Sequence, residues 1–462
     1  MTILAERLRA LLGPSGVIAD PSAMAPYLEE QRGLFHGRAA LVARPASTAE
    51  TAAVVALCAE HGVAIVPQGG NTGLVGGGVP FEHGDEIVLS MGRMNRVRAI
   101  DPANFTITVE AGCVLANVQA AAEEAGCLFP LSLAAEGSCQ IGGNLSTNAG
   151  GVAVLRWGNA RDLVLGLEVV LPDGRVWNGL KGLRKDNTGY DLKHLFVGAE
   201  GTLGVITAAV LKLFPRPRDI ETALVGVADL DHVLALFARA RAASGDALGA
   251  FELIPRIGLE LAVAHVPGCH DPFAGPHAHY VLIEATAPRE ALENLLSQAI
   301  EDGLAVDAVI ADSLERRRAL WRLREAVPEA QKREGASIKH DVSVPVSMVP
   351  DFLRRATKAI EAALPGVRVV AFGHVGDGNI HFNLTQPLGA EPKAFLARWE
   401  EMNRIVHDIV AGMGGSFSAE HGVGRLKKGE LVHYGDPVGL DLMRRIKAAL
   451  DPQGIMNPGK VL

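Results

Sequence analysis

Long apolar runs are missing from this chain. No stretch approaches the roughly 20 residues of a membrane-spanning helix. Dense basic runs are missing as well, and a formal net charge of -8 argues against nucleic acid as the main partner. Cysteines are few: Cys58, Cys113, Cys127, Cys139 and Cys269. They form no Cys-x-x-Cys pair and are odd in number, which speaks against a disulfide scaffold and against a cysteine zinc site. Buried thiols in a reducing cytosol are the expectation. The N-terminus lacks the compact apolar region of a signal peptide. Leu4, Leu8, Leu11 and Leu12, set between Glu6, Arg7 and Arg9, read as a packed amphipathic helix rather than a membrane-surface anchor. Two nucleotide signatures are also absent. No Gly-x-Gly-x-x-Gly opens a helix at a first βα turn, and no glycine run carries the Lys and Ser/Thr of a P-loop.

What remains is an ordinary soluble composition, 48% hydrophobic and 21% charged over 462 residues, long enough for two or three domains. Leu41–Ala43 reads as a strand, Ser47 or Thr48 as a helix cap, and Gly62 as the stop of an Ala-rich helix ending at His61. Val63–Val66 resumes as a strand, completing a βαβ unit. Two glycine-rich stretches follow, Pro67 to Gly78 and Gly137 to Gly151. Exposed amides with no Cβ in the way can approach phosphate oxygens. On spacing alone, tight turns account for these glycines as well as a cofactor does. The character changes at Pro215-Arg216-Pro217-Arg218. The order strand (222–227), helix (230–243), strand (249–254) then recurs as 280–285, 289–300 and 306–310, which suggests a ferredoxin-like antiparallel sheet with helices on one side.

The densest chemistry lies in Gly373-His374-Val375-Gly376-Asp377-Gly378-Asn379-Ile380-His381 and in Glu420-His421-Gly422. Asp377-Gly378 between two apolar strands predicts a two-residue type I′ turn. Pairing would run 376 with 379, 375 with 380 and 374 with 381, placing two imidazoles opposite each other with Cβ atoms roughly 5 Å apart. Such a pair can be a hairpin's polar face. It is also the start of a two-His, one-carboxylate metal site with an open position, His374 and His381 with Glu420 as third ligand.

Several separated motifs resemble one family. Pro67 to Gly78, Gly137 to Gly151, Gly198-Ala199-Glu200-Gly201-Thr202-Leu203-Gly204-Val205-Ile206 and Asn457-Pro458-Gly459-Lys460 look like FAD-binding elements of the vanillyl-alcohol-oxidase class of flavoproteins. The segments 373–381 and 418–424 are similar to signatures of its D-lactate and D-2-hydroxyglutarate dehydrogenase group. The resemblance spans essentially the whole chain in order. It implies an α+β protein: a two-lobed FAD-binding domain (1–218), an inserted ferredoxin-like substrate or cap domain with the metal hairpin (219–414), and a C-terminal helical segment returning to the FAD domain (415–462). It implies that Gly69, Gly70, Asn71, Thr72 and Gly73 wrap the pyrophosphate. Pro130, Ser138, Gly142, Gly143, Asn144, Thr147, Gly151 and Ile206 would line the rest of FAD, with Pro67, Gly137, Ile141, Glu200, Gly201, Val205 and Asn457 completing the site. Some relatives link the flavin covalently through a histidine in the first loop. Asn71 stands at that place here, so non-covalent FAD is expected.

The same resemblance implies oxidation of a D-2-hydroxy acid to the 2-oxo acid by hydride transfer to flavin N5. A divalent metal, zinc by expectation, would act as Lewis acid on the chelated substrate, and His421 as general base. Arg324, Lys339 and Asn379 would hold the substrate. Two cations favour a dicarboxylate such as D-2-hydroxyglutarate. Pro328 tempers this, because dicarboxylate-specific members can carry Thr there and proline has no hydroxyl donor. The alternatives are a D-lactate or glycolate dehydrogenase feeding a quinone, a metal-dependent hydrolase whose glycine loops are only turns, and a non-catalytic binding module. The expected electron acceptor is an electron-transfer flavoprotein or a quinone. A homodimer and a cytoplasmic location, with inner-membrane periphery as an alternative, complete the expectations.

Overall fold

A computed structural model describes residues 2–462. The chain forms two compact units. One comprises Met1–Gly151, Gly158–Arg216 and Glu420–Leu462; the other comprises Val152–Trp157 and Pro217–Ala419.

The first unit carries two main sheets, besides a two-stranded antiparallel pair of Cys127–Leu128 with Phe214–Pro215. The smaller sheet holds Val17–Ile18, Val42–Ala43, Ile87–Ser90 and Ile65–Gln68 in that spatial order. Its last three strands are parallel. The helix Thr48–His61 is set by local chemistry: the Ser47 side chain accepts from the Glu50 amide, and Gly62 ends it at φ 62°. An L side chain is disfavoured in that left-handed conformation, which is why glycine stops the helix here. The second sheet is antiparallel, in the order Val97–Asp101, Thr106–Glu110, Val205–Lys212, Val164–Val170, Val176–Gly179. Arg98 joins buried Glu110 and Glu168 (3.3 and 3.1 Å), and Thr48 donates to Glu168 at 2.5 Å. The ion network therefore fastens the helix start to this sheet. The N-terminal helix Thr2–Leu12 buries Leu4, Leu8 and Leu12, with Arg7 paired to Glu60 at 2.6 Å. No helix among the described residues is long and apolar enough to cross a membrane.

The second unit is built on a seven-stranded antiparallel sheet. Its order is Asp307–Ile310, Glu221–Val227, His279–Ala285, Leu248–Pro255, Arg368–His374, Asn379–Thr385, Ser337–Ser343. Helices cover both faces, not one. Alternate strand residues such as Val225, Phe251 and Ile283 pack with Phe237, Leu292, Phe352 and Met402 from four helices. Their neighbours Leu224, Ile254, Leu282 and Phe372 pack on the other face with Leu259 and Leu323, from helices Arg256–His265 and Leu314–Lys332. The period of two along each strand makes both faces apolar.

All five cysteines are free and buried. Burial pushes the Cys58 thiol up to about 12.

Candidate active site

In the first unit the two glycine-rich stretches meet around one cleft. Fourteen of the residues expected to hold a cofactor line it: Pro67, Gly69, Gly70, Asn71, Thr72, Gly73, Gly142, Gly143, Asn144, Thr147, Glu200, Gly201, Val205 and Ile206. The amides of Gly69 through Gly73 donate to none of the described residues, which leaves a run of N–H groups for anionic oxygens. Asn71 adopts φ 53°. Its side-chain amide is fixed on the Pro26 and Glu29 carbonyls at 3.1 and 2.7 Å. A Cβ placed on Gly73 or Gly143 would meet no protein atom within 4 Å; the space in front of both belongs to the cleft. Met91, Ala111, Leu133, Val205 and Ile206 add an apolar wall. A diphosphate with a flat apolar ring fits this set.

Six expected residues lie outside the lining. Ser138 stands behind the loop: its carbonyl is 2.1 Å from where a Gly70 Cβ would be. Gly151 likewise abuts the Ser132 carbonyl, at φ 141°. Ile141 is buried and its amide bonds Cys113. Pro130 is buried, and Gly137 occupies the turn before Ser138. Asn457 is a brace, donating to the Gly77 and Glu200 carbonyls at 3.0 and 2.8 Å. Close approach is what glycine permits, and in these places the approaching group is protein. Sequence reading missed Gln68, whose amide bonds the Tyr27 and Gly78 carbonyls and so shapes the first loop. Its place at the end of the strand before the glycines was the available signal.

Glu420 and His421 also line this cleft. They are held there by Glu200, whose carboxylate accepts from the Val423 and Gly424 amides at 2.7 and 2.9 Å. Burial pushes the Glu200 carboxyl above its ordinary range, against the pull of those two amides and Lys427.

In the second unit the hairpin register differs from expectation. His374 pairs with Asn379 and His381 with Phe372. Val375–Gly378 form a four-residue loop in which the Gly378 amide bonds the His374 carbonyl at 3.1 Å. Gly378 has φ 84° but Asp377 is not in the left-handed region, and a type I′ turn requires both. The shift is by an even number of residues, so both histidines stay on one face, with ring centroids 5.5 Å apart. Asp341 pairs with His381 and Lys339 with Asn383, which puts Lys339 and Asn379 on that face too.

Arg324 reaches it from the helix Leu314–Lys332. Its Nε donates to Glu252 at 2.7 Å, and the guanidinium lies over Phe372. Its Nη groups donate to none of the described residues. Asn379 donates to Asp341 and the Val342 carbonyl, both at 3.0 Å. Its buried Oδ1 has no partner among the described residues. Glu252, which sequence reading missed, also holds His374 Nδ1 at 2.6 Å. A lone carboxylate inside the apolar strand 249–254 was its only signal.

Comparison with known proteins shows the family. Residues 39–179 match the FAD binding domain profile, and residues 216–461 match that of the FAD linked oxidases, C-terminal domain. The chain belongs to the FAD-linked oxidases. Within them it is an FAD-dependent D-2-hydroxy acid dehydrogenase. It is 40% identical over 98% of its length to a probable mitochondrial D-2-hydroxyglutarate dehydrogenase of Oryza sativa subsp. indica, covering 80% of that protein. The mitochondrial D-2-hydroxyglutarate dehydrogenase of Bos taurus is 42% identical, with 97% and 81% covered. The D-2-hydroxyglutarate dehydrogenase of Xanthomonas citri pv. viticola, whose name carries no location, is 40% identical, with 91% and 88% covered. In fold, the chain is similar to p-cresol methylhydroxylase (TM-score 0.77, 17% identity, 100% and 96% covered). It is also similar to 4-ethylphenol oxidase from Gulosibacter chungangensis (0.75, 19%, 100% and 96%). The expected cytoplasmic location does not stand, since the rice and cattle relatives are named as mitochondrial. Five buried thiols are shielded in any compartment, so they carried no information about which one.

Gly143 lies in the helix Ile141–Ser146 and is not at positive φ, so leucine is tolerated by the backbone there and fills the cleft instead. Gly143→Leu is predicted to fold while binding flavin at least about tenfold more weakly, about 1.4 kcal/mol, read as flavin per protein after desalting. Unchanged flavin content would place the cofactor elsewhere.

Proposed function

We propose that the first unit binds FAD non-covalently, and that the second presents a D-2-hydroxy dicarboxylate, D-2-hydroxyglutarate fitting best, for oxidation to the 2-oxo acid. The observation that carries this is the single sheet face holding His374, His381, Asn379 and Lys339, with the Arg324 fork brought against it. Two cations are more than a chelated monocarboxylate needs. Arg324 presents its Nη pair for bidentate carboxylate binding. The names of the rice, cattle and Xanthomonas relatives support the same substrate. One observation favours D-lactate as a second reading: Pro328, inside the Arg324 helix, offers no hydroxyl or N–H.

The residues would divide the work as follows. His374, His381 and Glu420 would hold a divalent ion, zinc being the choice for an imidazole–carboxylate set, although manganese, cobalt and iron share its ligand chemistry. Support for Glu420 as third ligand comes from the chain itself. The amide of the preceding Ala419 bonds the Asp341 carbonyl at 3.3 Å, and Asp341 is the strand partner of His381. When bound, the flavin supplies a hydride acceptor and the ion supplies Lewis acidity. Asn379, its Nδ2 committed to protein, has only its Oδ1 to offer and accepts from a substrate hydroxyl. His421 takes the hydroxyl proton while the Cα hydrogen departs with its electron pair, leaving the carbonyl. Asn71 in the place of a linking histidine supports a dissociable flavin. With no second dinucleotide signature in the chain, an electron-transfer flavoprotein or a quinone is the proposed acceptor.

Chelator treatment is predicted to abolish turnover with FAD retained, and zinc or a related ion to restore it. Full activity in protein that metal analysis shows to be metal-free would rule out the metal. Lys339→Met is predicted to lower kcat/KM for D-2-hydroxyglutarate by one to two decades, the worth of a charge-assisted hydrogen bond of about 1.5–3 kcal/mol, while sparing D-lactate. Equal damage to both substrates would refute the dicarboxylate assignment.

A further inference from the structure

The strands Leu248–Pro255 and Arg368–His374 join the two halves of the seven-stranded sheet through only two residue pairs, Glu252 with His374 and Leu253 with Gly373. Leu253 packs in one hydrophobic cluster. Glu252 therefore points to the opposite face, where it is 1% exposed among apolar neighbours. A carboxylate is costly to place there unless its oxygens are matched by charged donors. Each oxygen has one: Oε1 meets His374 Nδ1 at 2.6 Å, and Oε2 meets Arg324 Nε at 2.7 Å.

We propose that Glu252 is a positioning residue that locks the metal ligand His374 and the substrate arginine Arg324 into one rigid unit, so that metal affinity and carboxylate affinity depend on the same buried carboxylate. This rests on the assignment of His374 as a ligand and Arg324 as a substrate group under the proposed function. Glu252 touches neither substrate nor metal. It acts through its two partners. As an acceptor it requires the proton on His374 Nδ1, which assigns Nε2 to the ligand role and fixes the plane of the ring. It also engages Arg324 at Nε alone, which orients the Nη edge of the fork away from the sheet residue that anchors it. The geometry is consistent with an ionised Glu252.

The coupling separates Glu252 from a residue that merely fills space. Glu252→Gln keeps the shape and one acceptor oxygen but puts an NH2 against one of two donors, so His374 or Arg324 must turn. In FAD-loaded protein, Glu252→Gln is expected to raise the zinc dissociation constant, measured by chelator competition, roughly ten- to a hundredfold. It should also raise KM for D-2-hydroxyglutarate, with flavin content unchanged. Glu252→Asp keeps the charge but is one methylene too short to hold both partners. Its zinc dissociation constant should fall between wild type and Glu252→Gln, and it serves alone if the glutamine variant does not fold. A zinc affinity within twofold of wild type in either folded variant would overturn the proposal, provided wild type itself binds zinc. If wild type binds no zinc, the metal assignment under the proposed function fails first, and the two failures are told apart.

Discussion

The first unit depends on one buried carboxylate. Glu200 lies on a tight backbone turn at φ 50° and accepts the Val423 and Gly424 amides. Asn457 donates to its carbonyl. One residue thus ties the glycine loop at 198–204, the segment carrying Glu420 and His421, and the C-terminal tail to the same cleft. Hydrogen bonds to a charged group contribute about 1.5–3 kcal/mol each, comparable to the several kcal/mol lost on burying the charge. The clamp is therefore worth more as a fixer of position than as a source of stability. Without it, the expected base His421 would have no fixed relation to the flavin loops.

The second unit solves the same problem with sheet register. Period two puts every second residue of three neighbouring strands on one face, and His374, His381, Asn379 and Lys339 all fall on it. The helix bearing Arg324 covers that face through Leu320, Leu323 and Val327. Precision comes from packing on rigid elements rather than from loops, which is what a site needs if its groups are to stay within a few tenths of an ångström.

Much of this was legible in the sequence where the cause is local. Ser47 and Gly62 bound a helix because cap chemistry lies within a few residues. The strand–helix–strand repeats at 221–255 and 279–310 are readable from periodicity. The glycine stretches mark the cleft, but glycine says only that something comes close: the Ser138 carbonyl lies behind Gly70 and Gly151 abuts the Ser132 carbonyl, so both read as lining from sequence while their close neighbours are protein backbone. The hairpin was misjudged by two residues because Asp-Gly favours a type I′ turn in isolation, whereas here the chain makes a helical turn closed by the Gly378 amide. The histidines survived that error since an even shift preserves the face. Glu252 shows locally only as a lone carboxylate in an apolar strand, and its role is not legible there because its partners lie 72 and 122 residues away.

The central claim is that this chain moves a hydride from a D-2-hydroxy acid to bound FAD. The direct test is anaerobic mixing of the yellow, FAD-loaded protein with D-2-hydroxyglutarate, its L enantiomer and D-lactate, following flavin absorbance. The account predicts rapid bleaching by D-2-hydroxyglutarate, none by the L enantiomer, and slower bleaching by D-lactate. A flavin that stays oxidised with every D-2-hydroxy acid tested would contradict it.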